Sequence, residues 1–200
     1  MKSNTCPISA DVPFTSAILH EVEKVSSYNE LTRVQQLKLD LLAEELIGML
    51  PNLSTGYTGS FWVENEGNSY ELHASFKTDG LSLEERDRLL QIAKSGKNAA
   101  AVGIVGKIRS AFETMLSSSD TAPMLYHENA YLNGGFDEDD TYTCSWSLER
   151  YIRTLEQETA EVRSAKGWDE LEKSVIAKLA DDVVVGIRGS RVDLIVKKTI

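Results

Sequence analysis

A chain of 200 residues with 42% hydrophobic composition can bury a proper core as one domain, and this excludes a disordered protein. Its formal charge of −10 is shared evenly between the two halves, which argues against general binding to nucleic acid or to anionic membranes. Two cysteines without metal spacing, an N-terminus (MKSNTCPISADVPF) without an apolar stretch, and no apolar run near the roughly 20 residues of a span point to a soluble, cytoplasmic protein.

In chain order, residues 1–12 read as a tail leading into a helix at about 14–27, with Ile18, Val22 and Val25 as its apolar stripe. Tyr28-Asn29-Glu30 forms a joint. The longest helical stretch follows, Leu31 to Leu50 (LTRVQQLKLDLLAEELIGML), which Pro51 and Asn52 are expected to end. At 100° per residue, Val34, Leu37, Leu41, Leu42 and Met49 share one arc, widened by Leu39 and Leu46. Glu45 points into that arc, and Glu44 lies at its edge one turn before Gly48. An acid on the inward face of a helix is costly without a partner, so these two carboxylates are the first candidates for chemistry.

Thr55, Gly56, Gly59 and Ser60 then mark a turn region. Strands at 61–63 and 70–76 form a hairpin across Asn65-Glu66-Gly67-Asn68, the second with Tyr70, Leu72, Ala74 and Phe76 on one buried face. Thr78-Asp79-Gly80 closes it. Helices are expected at 83–95, with Ser82 and Glu85 as a capping box, and at 99–116. Aromatics around Asn133-Gly134-Gly135 suggest a hairpin within 124–147, and helices follow at 148–165 and 168–179. Strands at 183–187 and 192–196 close the chain across Gly189-Ser190. The sum is a single α/β two-layer sandwich, with helices on one face of a mixed, mostly antiparallel sheet.

The segment Ile92–Phe112 holds Lys94, Lys97, Lys107 and Arg109 and no acid, and opens a helix near Asn98. A helix N-terminus with nearby lysines is suited to phosphates, although a small-residue helix packed on the sheet is the plainer reading. There is no Walker A motif and no GxGxxG after a strand. Asp137-Glu138-Asp139-Asp140 fails as a calcium loop, because the sixth and twelfth positions hold Tyr142 and Leu148. His20, His73 and His127 show no metal spacing, and His73 alternates away from the apolar strand face.

LDLLAEELIGML followed by a hairpin, YELHASFKTDG and AAAVGIVGKIRSAF resembles the histidine-kinase-like (GHKL, Bergerat-fold) ATPases, most nearly the anti-sigma-factor serine kinases. The resemblance covers about residues 13–112 and 183–198, leaving 117–182 as an insertion. It implies a Bergerat-like fold, ATP or ADP as ligand, and Glu44, or else Glu45, as general base. Asp79, beside Gly80, would read adenine, and Lys97, Asn98 and Lys107 would hold phosphates. This sequence departs from the family where chemistry is concentrated. The Mg²⁺-binding Asn falls on Gly48 (or Met49), a motif glycine on Leu81, and the lid glycines on Ala99 and Ala101. Mg²⁺ is therefore not expected to be held. The implied function is a degenerate ATPase-fold regulatory module acting through a protein partner, with a homodimer as a candidate assembly. The alternative is an active serine kinase of the anti-sigma type. Trp146, Tyr151 and Trp168 in the insertion are candidate partner-contacting aromatics.

Overall fold

The computed structural model describes residues 1–11, 15–54, 56–78, 144–157, 174–188 and 190–200. The helices expected at 83–95 and 99–116, most of the 124–147 hairpin and the start of the 168–179 helix lie outside the described residues. The described elements are β1 (Cys6–Ser9), α1 (Thr15–Tyr28), α2 (Arg33–Leu53), β2 (Tyr57–Glu66), β3 (Ser69–Thr78), β4 (Cys144–Ser147), α3 (Leu148–Gln157), α4 (Val175–Leu179), β5 (Asp182–Arg188) and β6 (Arg191–Thr199). They form an α+β structure whose six strands run in the order β1-β2-β3-β6-β5-β4. Every pairing between these strands is antiparallel, so the mixed sheet expected from sequence is more uniform than predicted.

The joint between the first two helices is built as expected. Leu31 N–H donates to Ser26 O and Glu30 N–H to Ser27 O, with Glu30 at φ 53°. This pair of bonds ends α1 in a Schellman turn, with Glu30 in the left-handed place that usually holds glycine. Thr32 then caps α2: its hydroxyl accepts from Gln35 N–H, and the Gln35 side chain accepts from Thr32 N–H at 2.8 Å. Pro51 does not end α2. The helix carries on to Leu53, and Ser54 N–H bonds Leu50 O at 3.1 Å. A proline in the last turn forfeits one internal hydrogen bond, while continuation buries Leu53, worth about 1.5–3 kcal/mol.

The apolar arc of α2 is also displaced from the expected one. Leu39, Leu42, Ala43, Leu46, Met49, Leu50 and Leu53 are buried, whereas Val34 and Leu37 are 65% and 47% exposed. The buried set recurs at three- and four-residue spacing over about four turns, so it outweighs the short Val34–Leu37–Leu41 strip as the core face.

Two strand expectations change. Cys6 and Ile8, read as tail, are buried in β1, which pairs along β2. Pro7 is tolerated there because β1 is an edge strand. Gly59 and Ser60, read as a turn, lie inside β2. A Cβ on Gly59 would stand 2.1 Å from Ser75 O and 2.5 Å from Phe76 Cα, so glycine permits the close approach of β2 and β3. The hairpin turn between them is tighter than expected, with Asn65 and Glu66 paired and only Gly67-Asn68 turning, Gly67 at φ 56°.

One set of alternate strand positions forms a single core with the helices: Phe61 and Val63, Leu72, Ala74 and Phe76, Val192, Leu194 and Val196, Val183 and Val185. Trp146 of β4 pairs with Val185 and is 4% exposed, with the Tyr151 ring at 6.3 Å. Two of the aromatics expected at a partner surface therefore pack in or against the core, and Trp168 lies outside the described residues. Cys6 and Cys144 sit on opposite edge strands, about 24 Å apart at ordinary strand spacing, too far for a disulfide. No described helix is long and apolar enough to cross a membrane.

Candidate functional site

Two regions carry side chains suited to chemistry or binding. The first is the outward side of α2 with the adjoining end of β3. Glu44 and Gly48 are exposed and Glu45 is half-buried, so none of the three points into the core. The premise of a costly inward acid at Glu45 is thus corrected, because the buried face lies about 100° further round the helix. A Cβ at Gly48 would meet nothing within 4 Å. The C-terminal end of α2 is tied to the end of β3: Ser54 Oγ and Thr78 Oγ1 lie 2.8 Å apart, with Thr78 buried. Gly48 precedes Ser54 by six residues, about 9 Å along the helix axis, and Asp79 directly follows Thr78. Gly48 therefore lies about 9 Å along the helix from the Ser54–Thr78 contact. Asp79, Gly80, Lys97, Asn98, Ala99, Ala101 and Lys107 themselves lie outside the described residues, as do His127 and the acidic run 137–140.

The second region is the sheet face away from the described helices, which sequence reading passed over except to note that His73 points there. Its centre is a stack: the Trp62 and His73 rings lie parallel, 4° apart in plane, with centroids separated by 4.8 Å. Lys2 Nζ stands 4.3 Å from the Trp62 ring centroid and 3.0 Å from Glu64 Oε1. The register explains the grouping. Lys2 bridges Glu64 on one side of β2, while Trp62 pairs with His73 on the other. Trp62 Nε1 donates to Glu64 at 2.7 Å, which fixes the indole.

Hydrogen bonds from Lys2 and from the Trp62 indole hold the Glu64 carboxyl below its usual pKa. Burial pushes the His73 imidazole below its usual value and outweighs the opposite pull of Glu64 and Glu71. His73 Nε2 lies 3.3 Å from Glu71 Oε2 without the alignment of a hydrogen bond, and is buried with no partner. A neutral ring wedged against indole is a structural element rather than a base with a substrate in reach. His20, on α1, is an exposed side chain 3.7 Å from Glu23.

Among the described residues no group of three or more His, Cys, Asp or Glu could hold a metal ion. Gly48 has no side-chain ligand at the position where the family resemblance would need one. No protein family matches the chain, and neither a curated protein nor a solved structure does.

Proposed function

We propose that the chain is a regulatory module on the histidine-kinase-like ATPase plan which has lost the family's magnesium ligand. It works mainly by contacting a protein partner and retains ATP or ADP binding as a residual property. The observation that carries this reading is the junction of α2 with β3. The helix bearing Glu44 and Gly48 leads straight into the β2–β3 hairpin, and Ser54 meets Thr78 just before Asp79. The Bergerat-like arrangement gains further support from the terminal hairpin, whose β6 pairs along β3. Exposure of Glu44 and Gly48 leaves that side of α2 accessible to a ligand, whereas a glycine at 48 argues against metal-assisted phosphoryl transfer.

A thermal-unfolding series with ATP and ADP, each with and without Mg²⁺, tests the proposal on the wild type and on Gly48→Asn. A ligand at about 100 times its Kd stabilises by roughly 2.7 kcal/mol, enough to raise Tm by several degrees. The expected result is a shift in the wild type that ignores Mg²⁺, and one that becomes Mg²⁺-dependent in Gly48→Asn. The open space at position 48 lets the variant fold. A wild-type shift that requires Mg²⁺ would favour an active kinase, and no shift in either protein would remove the nucleotide.

A further inference from the structure

Near the β5–β6 turn, one row of the sheet face away from the described helices runs Thr58, Lys77, Arg191 across three adjacent strands. Like charges directly opposite one another destabilise a sheet, and this chain has 31 acidic residues against 21 basic. Two cations directly opposite each other, Lys77 and Arg191, are therefore not what folding alone favours. The next row is small and polar, with Ser60, Ser75, Asp193 and Gly186, and the row beyond it stands up as Trp62 and His73. The rows enclose a trough of about 440 Å³, lined among the described residues by Lys2, Thr58, Ser60, Trp62, Lys77, Arg191 and others, with the Asp193 carboxylate beside Arg191.

The cations are not equally committed. Lys2 is engaged by Glu64. Arg191 uses its Nε, 3.1 Å from Ser75 Oγ and 3.3 Å from Asp193 Oδ1, which aims the outer guanidinium nitrogens away from that edge. Lys77 is exposed and makes no ion pair among the described residues. An oriented guanidinium beside a lysine and a hydroxyl matches the donor set that phosphate oxygens prefer.

We propose that this trough binds a small phosphorylated ligand, its phosphoryl group held by Lys77, Arg191 and the Thr58 hydroxyl. The rest of the ligand lies over the Ser60–Ser75 floor against the fixed edge of Trp62. The volume suits a ligand of metabolite size. This site is on the opposite face of the sheet from α2 and does not depend on the nucleotide reading above.

The test is isothermal titration of the full chain with inorganic pyrophosphate at low salt, where screening is weakest. Lys77→Gln and Arg191→Gln should each weaken binding about tenfold, the loss expected for one charge-assisted hydrogen bond, while Lys178→Gln on α4 should not. Without ligand, Lys77→Gln should melt no lower than the wild type, because it relieves a like-charge contact. Absence of pyrophosphate binding, or binding indifferent to both substitutions, would overturn the proposal, as would a lowered Tm of ligand-free Lys77→Gln.

The double variant, titrated with ATP, separates this proposal from the nucleotide one. Loss of pyrophosphate binding with retained ATP stabilisation leaves both sites standing. Loss of both assigns the nucleotide to this trough and removes it from α2.

Discussion

Phe61 and Trp62 are neighbours in the chain, yet they stand on opposite faces of β2 under different physics. Phe61 is fully buried among the helix-facing residues and contributes by volume. Trp62 is half-buried on the open face and is held by directed contacts: a parallel imidazole, an ammonium over its ring and a carboxylate at its Nε1. The covered face would accept many apolar sequences of the right size. The open face depends on which strand lies beside which, because its contacts join residues brought together only by register.

Alanine at the two positions gives the widest test of that contrast. Phe61→Ala should cost about 3–5 kcal/mol, the range for a buried aromatic replaced by a cavity. Trp62→Ala should cost about 1–2 kcal/mol, the combined scale of one aromatic stack and one cation–π contact. Urea unfolding of both variants measures the gap. Equal losses would mean that the open face is covered as tightly as the helix side.

The covered face was also the legible one. Period-two alternation placed Tyr70, Leu72, Ala74 and Phe76 correctly, and the 3.6-residue pattern found α1 and α2. It missed β1, because four residues with a proline carry too little pattern, and it read Gly59 as a turn when the glycine serves strand contact. On α2 the strip through Val34 and Leu37 drew the arc off centre, since apolar residues there need not be inside. Of the candidate site, Glu44 and Gly48 could be put one turn apart on a helix, but the tie between the end of that helix and the end of β3 could not be read. That contact depends on Ser54 and Thr78, 24 residues apart. The basic row was illegible for the same reason, because Lys77 and Arg191 are joined only through pairing of β3 with β6.

A pH series sharpens the contrast without truncating anything large. Burial lowers the pKa of His73 in the fold below its ordinary 6.5, so just below that pH the unfolded chain binds more protons than the folded one. Stability should therefore be full above about pH 6.5 and decline as pH falls toward the lowered folded value. The groups facing the ring are Trp62, Glu64, Glu71 and Lys2, and Glu64, whose pKa is lowered, is still ionised at the start of that window. His73→Gln should flatten the decline of Tm between neutral and mildly acidic pH. An unchanged slope in the variant would place the titrating group elsewhere.

The smallest expected effect is at Lys2. Its ion pair with Glu64 is about half exposed on both sides, which limits the pair to at most about 1 kcal/mol, and the contact with the Trp62 ring adds a similar amount or less. The two contributions differ in their response to acid. Glu64 has a lowered pKa in the fold, so the ion-pair part is complete above its ordinary 4.5 and is lost as pH falls through the lower folded value. The contact of the ammonium with the indole ring does not depend on the charge of Glu64. Comparing wild type with Lys2→Ala from neutral pH into acid should show a gap that narrows below about pH 4.5 but does not close. A gap that closes completely would leave the ring contact without weight and reduce the Lys2 end of the open face to a surface ion pair. A gap that never narrows would make the ring contact the whole of it, and the Trp62 wall of the proposed phosphate trough correspondingly firmer.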